Sequence, residues 1–409
     1  MMRPREKFAR PHHAPMTKTL TIRSVPSIAE APAEAWDACA NPPALGDGAL
    51  DGERFNPFIA HAFLEALEQS RSVGGRSGWA PAHVLVEDSS GRLVAAAPTY
   101  LKAHSQGEYV FDHSWADAYQ RAGGRYYPKL QVAVPFTPVT GRRLLVARNA
   151  PAGAREALIA GLRALREAAG ASSIHVTFPD RPDGEALQRA GFVSRTGEQF
   201  HFVNAGYRDF DDFLAALASR KRKAIKRERR DALGDEVSVE LITGSDLKSE
   251  HWDAFFAFYM DTGSRKWGRP YLTREFFDRV GAAMSSRVLL VMAKRAGRYV
   301  AGALNFLGDD ALYGRNWGAI EERPFLHFEI CYYQAIEFAI RRGLKRVEAG
   351  AQGEHKLARG YRPVATYSAH EFADPRFQRA VADYLTHERA AVDETIAEYA
   401  EQLPFRRQG

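Results

Sequence analysis

Residues 343–370 read GLKRVEAGAQGEHKLARGYRPVATYSAH, and one short run within them carries Glu348, Glu354, His355 and Lys356. Two carboxylates, an imidazole and an ammonium are the material of proton transfer and of holding an anion. The imidazole titrates closest to neutrality. The groups follow a short apolar strand, 347–349, entered from a helix that Gly343 ends through the left-handed conformation glycine tolerates. A strand end that opens into a glycine-punctuated loop is where α/β proteins hold ligands. A solvated connection would carry the same charges, but Glu348 falls in the strand itself, where an unpartnered carboxylate is costly.

The same stretch has a counterpart in the first half. DGEALQRAGFVSRTGEQFH (183–201) aligns without a gap on QGEHKLARGYRPVATYSAH (352–370), bringing Gly184-Glu185 onto Gly353-Glu354, Gly191-Phe192 onto Gly360-Tyr361, and His201 onto His370. Upstream, GRLVAAAPTYL (91–101) matches GRYVAGALNFL (297–307), and Trp115 in YVFDHSWA matches Trp317 in ALYGRNWG after a short gap. A period near half the chain means duplicated domains. The expected organisation is a disordered extension over 1–18, a first α/β unit over 19–205, a basic helical connector over 206–235, and a second unit over 236–409 that ends in a pair of helical segments.

With 409 residues, the chain has room for two cores. Hydrophobic content of 45% and charged content of 26% are those of a soluble globular protein. No apolar run reaches the ~20 residues of a membrane span, and the N-terminus lacks the apolar core of a secretory signal. Cys39 and Cys331 are too few for a disulfide framework or a CxxC metal site, which points to the cytoplasm and to no metal.

Two other segments stand out. Residues 108–138, EYVFDHSWADAYQRAGGRYYPKLQVAVPFTP, mix His113, Trp115, Tyr127 and Lys129 with further aromatic and charged groups, the usual lining of a ligand pocket; an aromatic core with solvated charges is the plainer alternative. In residues 207–233, Asp209 caps a helix whose Phe210, Phe213, Leu214 and Leu217 face inward. Beyond it come Arg220, Lys221, Arg222, Lys223, Lys226 and Arg227, which repel one another and call for phosphates of a nucleotide, a coenzyme or RNA.

The doubled unit of hairpin, polar strand, helix, strand and Gly-Phe or Gly-Tyr turn resembles the GNAT acyltransferase fold. The motifs LYGRNWG, PFLHFEICYYQAIE and EAGAQGEHKLARGY, with the basic segment between the units, resemble the FemAB-like family across about residues 20–403. The resemblance implies a mixed α/β (α+β) fold of two tandem GNAT-like domains, each a twisted mixed sheet flanked by helices. It further implies transfer of an acyl or aminoacyl group to an amine, such as that of a peptidoglycan precursor. In such a reaction Glu348 or Glu354 accepts the proton, with His355, His327 and His113 as alternative bases. Arg315 and Lys356 hold a carboxylate or phosphate, and Trp317, Tyr332 and Tyr361 wall the acyl group. The GNAT glycine pattern for a coenzyme A pyrophosphate is missing from WGAIEERPFLHFE, and no long helical-hairpin arm is present. The donor therefore stays open between acyl-CoA and aminoacyl-tRNA. A non-catalytic module that recognises a cell-wall precursor or RNA is the competing function, and a scaffold of two decayed copies is a third.

Overall fold

The computed structural model describes residues 19–42, 55–266, 270–351 and 353–406; the extension expected over 1–18 lies outside them. The first half contributes strands β1 (Thr21–Val25), β2 (Trp79–Pro81), β3 (His83–Glu87), β4 (Leu93–Ala97), β5 (Thr99–Lys102), β6 (Lys129–Val132), β7 (Leu145–Val146), β8 (Ser173–Thr177) and β9 (Val193–Val203). The second contributes β10 (Val237–Thr243), β11 (Val288–Arg295), β12 (Arg298–Leu307), β13 (Ala311–Ala319), β14 (Arg346–Glu348) and β15 (Arg362–Phe372). Helices α1 (Ala33–Ala40), α2 (His61–Gln69), α3 (His113–Arg121), α4 (Ala154–Ala168) and α5 (Arg181–Arg189) accompany the first set. They are followed by α6 (Phe210–Ala216), α7 (Ser219–Leu233), α8 (Ser249–Lys266) and α9 (Arg274–Met284). Next, α10 (Leu326–Phe328) runs through a π-turn (Glu329–Tyr333) into α11 (Gln334–Arg341), and α12 (Pro375–Glu401) closes the chain. The mixed α/β architecture expected from the sequence is present.

Local chemistry explains the boundaries. Asp209 and Asp374 cap α6 and α12 by accepting from the backbone N–H groups of Asp212 and Arg376. Pro98, which has no N–H to donate, separates β4 from β5 where the matching segment of the second half runs on as one strand, β12. β4 therefore stays in a four-stranded sheet ordered β1-β3-β4-β7, while β5 joins the large sheet. The segments expected as a pair after residue 373 form the single helix α12, since nothing in 375–401 is a glycine or an internal proline.

The large sheet runs through both halves in the order β10-β11-β12-β13-β14-β9-β15-β8-β6-β5-β2. Each half gives its last strand to the other: β9 lies against β14, and β15 against β8. The two strands pair antiparallel with each other, and the register is symmetric about Gly197 and Thr366, which face one another directly. These are also the residues the gapless sequence alignment makes equivalent. On either side of that axis a parallel pair follows, β13 with β14 and β6 with β8.

One apolar core crosses the halves. Phe58 and Phe63 pack edge-on at 5.2 Å, and Phe63 meets Phe276 and Phe306 of the second half at 5.7 and 5.4 Å. Each buried ring contributes about 1.5–3 kcal/mol, so this contact holds the halves in fixed relation.

Candidate functional site

β13 and β14 run in parallel for three residue pairs, ending at Tyr313 and Glu348; β13 then continues to Ala319 while β14 stops. Residues two apart in a strand share a face, so Arg346 and Glu348 project to the same side, towards a hollow of about 370 Å³. Asp310, Tyr313 and His201 line it from the second half and the central strand β9, and Arg142 and Asp180 line it from the first half.

Glu348 is 4% exposed. Its Oε1 accepts from Arg346 Nε at 2.9 Å, while Oε2 has no hydrogen-bond partner and stands 3.8 Å from His201 Nε2. Arg346 is engaged by Asp310 at 2.9 Å and by the Tyr313 hydroxyl at 3.2 Å as well. Burial holds the His201 imidazole below its usual pKa; Glu348 pulls it up, and Arg346 and Lys356 push it down. His201 is thus neutral at pH 7, beside a carboxylate oxygen with a free lone pair. Such a pair can take a proton from an incoming amine. Arg142 is spent on the carbonyls of Cys39, Ala40 and Val146, and His201 Nε2 lies 3.3 Å from Gln199 Oε1, which leaves Glu348 Oε2 free at the hollow's centre.

The π-turn and the 3-10 turn Glu354–Arg359 bring their rings together with His327 and with Trp317 of β13 in an aromatic cluster. The Tyr332 hydroxyl is 2.9 Å from His355 Nε2. The His327 ring is 5.1 Å from that of Trp317, and Tyr332 packs against Tyr361 at 5.6 Å and Phe328 at 6.1 Å. Burial lowers the His355 imidazole pKa, and the positive charges of Arg359 and Lys356 lower it further. Lys356 is 1% exposed and donates from Nζ to the Gly350 carbonyl at 2.9 Å; burial brings its pKa down to about 8.

The residues expected at one site are therefore divided. Glu348 faces the hollow, and Lys356 acts electrostatically on His201, which lines it. His355 is exposed in the aromatic cluster with Tyr332, His327, Trp317 and the buried Tyr361. Glu354 is exposed and accepts from the Tyr399 hydroxyl of α12 at 2.8 Å. Arg315 donates to the Phe136 carbonyl and lies 5.7 Å from the Phe58 ring, bridging the halves.

The pocket wall expected over 108–138 is present only in part: Tyr119, Arg125 and Tyr127 line a hollow of about 410 Å³, whereas Lys129, His113 and Trp115 do not line it. Lys129 is fully buried, and its ammonium donates to Glu108 at 2.7 Å, to Asp112 and to Ser105 at 2.9 Å. Opposite charges there satisfy one another inside the fold rather than lining a cleft. Tyr127 shares a hydrogen bond with Ser105 at 2.8 Å, and His113 is exposed at the first position of α3. Trp115 is on that helix, with its ring 4.8 Å from that of His370, whereas Trp317 is on a strand; the alignment of the two tryptophans does not correspond to equivalent places. Through the symmetric register, the position facing Glu348 and His201 in the second half is taken by His175 and His370 in the first. Their Nδ1 atoms are 2.7 Å apart under Trp115, in a fully buried pair.

His201, Arg346 and Asp310 were missed at the sequence level. Arg346 was findable, since it sits two residues before Glu348 in the same strand. His201 was visible as a mark of the repeat, but its partner belongs to the other half.

In α7, Arg220, Lys221, Lys223 and Arg227 are exposed and Arg222 half-buried, and Lys226 makes a surface pair with Asp211 at 3.1 Å. Its inner face carries Glu228 and Arg229, tied to Arg359 and to Glu329. Among the described residues no helix is long and apolar enough to cross a membrane.

This architecture has known relatives. FemX superposes with a TM-score of 0.52 at 12% identity, over 86% of this chain and 98% of FemX, so the two share a fold. L-PGS from Bacillus licheniformis (TM-score 0.47, 11% identity, 82% and 99% covered) and a tandem GNAT protein from the clavulanic acid biosynthesis pathway (0.45, 13%, 87% and 99%) are also similar. No curated protein matches by sequence. The model of the FemAB-like family, described as peptidoglycan biosynthesis/recognition, matches residues 27–407, and this chain belongs to that family.

Proposed function

We propose that the protein is an N-acyltransferase or aminoacyltransferase that moves an acyl group from an activated ester or thioester to an amine. The observation that carries this is the buried Glu348 Oε2, unpartnered and beside a neutral His201, where β13 and β14 part. In the reaction the amine nitrogen attacks the donor carbonyl, the C–N bond forms and the C–O or C–S bond breaks. The ammonium proton passes to Glu348 or His201, and the departing oxygen or sulfur carries the electron pair away. Lys356, still cationic below its pKa of about 8, supplies positive charge for the developing oxyanion or a donor phosphate.

The aromatic cluster of Trp317, His327, Tyr332 and His355, with the basic face of α7 nearby, suits a donor that ends in an adenosine and carries phosphates. Both acyl-CoA and aminoacyl-tRNA do. Family membership favours a peptidoglycan-precursor amine as acceptor, in the cytoplasm, and the symmetric register supports a duplication with units at 19–205 and 236–409 joined by 206–235. The test is transfer itself: a panel of acyl-CoAs, aminoacyl-tRNAs and UDP-linked muropeptides, with product followed by mass and binding by the rise in melting temperature. Acylated amine from one donor class upholds the proposal. Tight binding with no product from any donor favours recognition without catalysis.

A further inference from the structure

Helix α7 has two faces of different use. Outward it is basic; inward, Glu228 and Arg229 reach the two turns that carry the aromatic cluster. Arg229 grips Glu329, the first residue of the π-turn, with Nε at 3.0 Å and Nη2 at 2.9 Å, and reaches Glu337 at 2.9 Å. Glu329 is fully buried and also accepts from Gln334 Nε2 at 2.7 Å. A carboxylate at that depth persists only when both oxygens are satisfied. Glu228 accepts from the Tyr333 hydroxyl at the other end of the π-turn and from Arg359 Nη2 at 2.9 Å. Arg359 in turn lies 3.4 Å over the Phe328 ring and donates through Nη1 to the carbonyl of His355 at 2.7 Å. Neighbouring residues of one helix thus hold the turn that presents Tyr332 and the turn that presents His355 and Lys356.

We propose that Glu228, Arg229 and Arg359 are positioning residues, a strut from α7 that sets the placement of Tyr332, His355 and Lys356 relative to one another. The inference rests on the transferase reading for its consequence, but its geometry is independent of it. The π-turn gives the strut a purpose: single π-turns that interrupt helices are frequent at functional sites, and this one is clamped at both ends by α7. Residues that hold reacting groups in place act on turnover more than on affinity, because a displacement of about 1 Å costs about 100-fold in rate.

The test uses the full chain and variants Glu228→Ala, Arg359→Gln and Arg359→Lys. The first readout needs no activity: the titration midpoint of the His355 imidazole by NMR. Arg359→Gln removes a charge that holds His355 down, so the midpoint rises. Residue 228 does not touch His355, yet in Glu228→Ala the released Arg359 leaves its place and the midpoint rises too. The second readout is turnover: Arg359→Lys, which keeps the charge but not the forked contacts, loses about 10- to 100-fold in kcat with the acceptor KM unchanged. A midpoint that moves in Arg359→Gln but stays put in Glu228→Ala overturns the strut, since Arg359 then acts without α7. Unchanged kcat in both Arg359→Lys and Glu228→Ala, while Glu348→Gln silences the enzyme, overturns it and leaves the transferase reading standing. Should Arg359→Gln fail to fold, the Glu228→Ala midpoint alone decides.

Discussion

Replacing Glu348 by Gln separates a catalytic carboxylate from a structural one. The side chain keeps an oxygen for Arg346 Nε, so a charge-assisted hydrogen bond at 2.9 Å becomes a neutral one. The first is worth about 1.5–3 kcal/mol and the second about 0.5–1.5, and Arg346 retains Asp310 at 2.9 Å. The fold should therefore lose about 1 kcal/mol, or about 2 °C in melting temperature for a chain of this size. The chemistry should lose far more. A positioned proton acceptor contributes about 100- to 10,000-fold, equivalent to about 3–5 kcal/mol of barrier. Single-turnover transfer with saturating donor, read by mass, measures the second quantity, and a thermal melt measures the first. Transfer within threefold of the parent protein, in a variant that binds donor normally, refutes the role of Glu348 and leaves His201 to be tested in the same way.

Four further outcomes follow from the geometry. Lys129→Met strips the nearest cation from two buried carboxylates, Glu108 and Asp112, leaving Lys102 3.7 Å from the first and the Tyr126 hydroxyl on the second, and should destabilise by about 3–5 kcal/mol; a loss of donor affinity with stability intact would put Lys129 back in a pocket wall. Lys356 has a folded pKa of about 8, below its unfolded value of about 10.4, so the unfolded chain binds more protons between the two and stability rises with pH across that window. Lys356→Met should abolish that rise and gain up to about 3 kcal/mol at pH 7, and parallel urea stability at pH 7 and 9.5 in both proteins would contradict it. Changing Arg220, Lys221, Arg222 and Lys223 together to Gln should flatten the salt dependence of an RNA donor, whose log affinity falls by about 0.7–0.9 per phosphate contact per decade of salt; an unchanged slope places RNA elsewhere. In Gly318→Ala the new methyl group would meet the Phe258 carbonyl carbon and oxygen at 2.3 Å, and overpacking costs about 1–3 kcal/mol, so an unchanged denaturation midpoint would show that α8 and β13 are free to part.

Reading the sequence succeeded where information was local. Gly343 with φ of 65° ends α11 as expected, Asp209 caps α6, and Glu348 ends its strand as a buried carboxylate. It failed where a charge found its partner far along the chain. Lys129 meets Glu108 and Asp112 through a loop that folds back, and Arg359 meets Glu228 more than a hundred residues away. Aromatic and charged residues crowded together look alike whether they line a cleft or close a core, because the difference is whether their polar atoms are satisfied by one another.

Periodicity, caps and glycines are written residue by residue, and from them the chain alone determined most of its helices and strands and the strand end that carries Glu348. Tertiary structure decided the rest. Only pairing across the sheet could exchange β9 and β15 between the halves, bring His201 to Glu348, and seal the matching place in the first half with His175, His370 and Trp115. Strand partners are chosen by hydrogen bonding and burial summed over both halves at once, a quantity no single stretch contains.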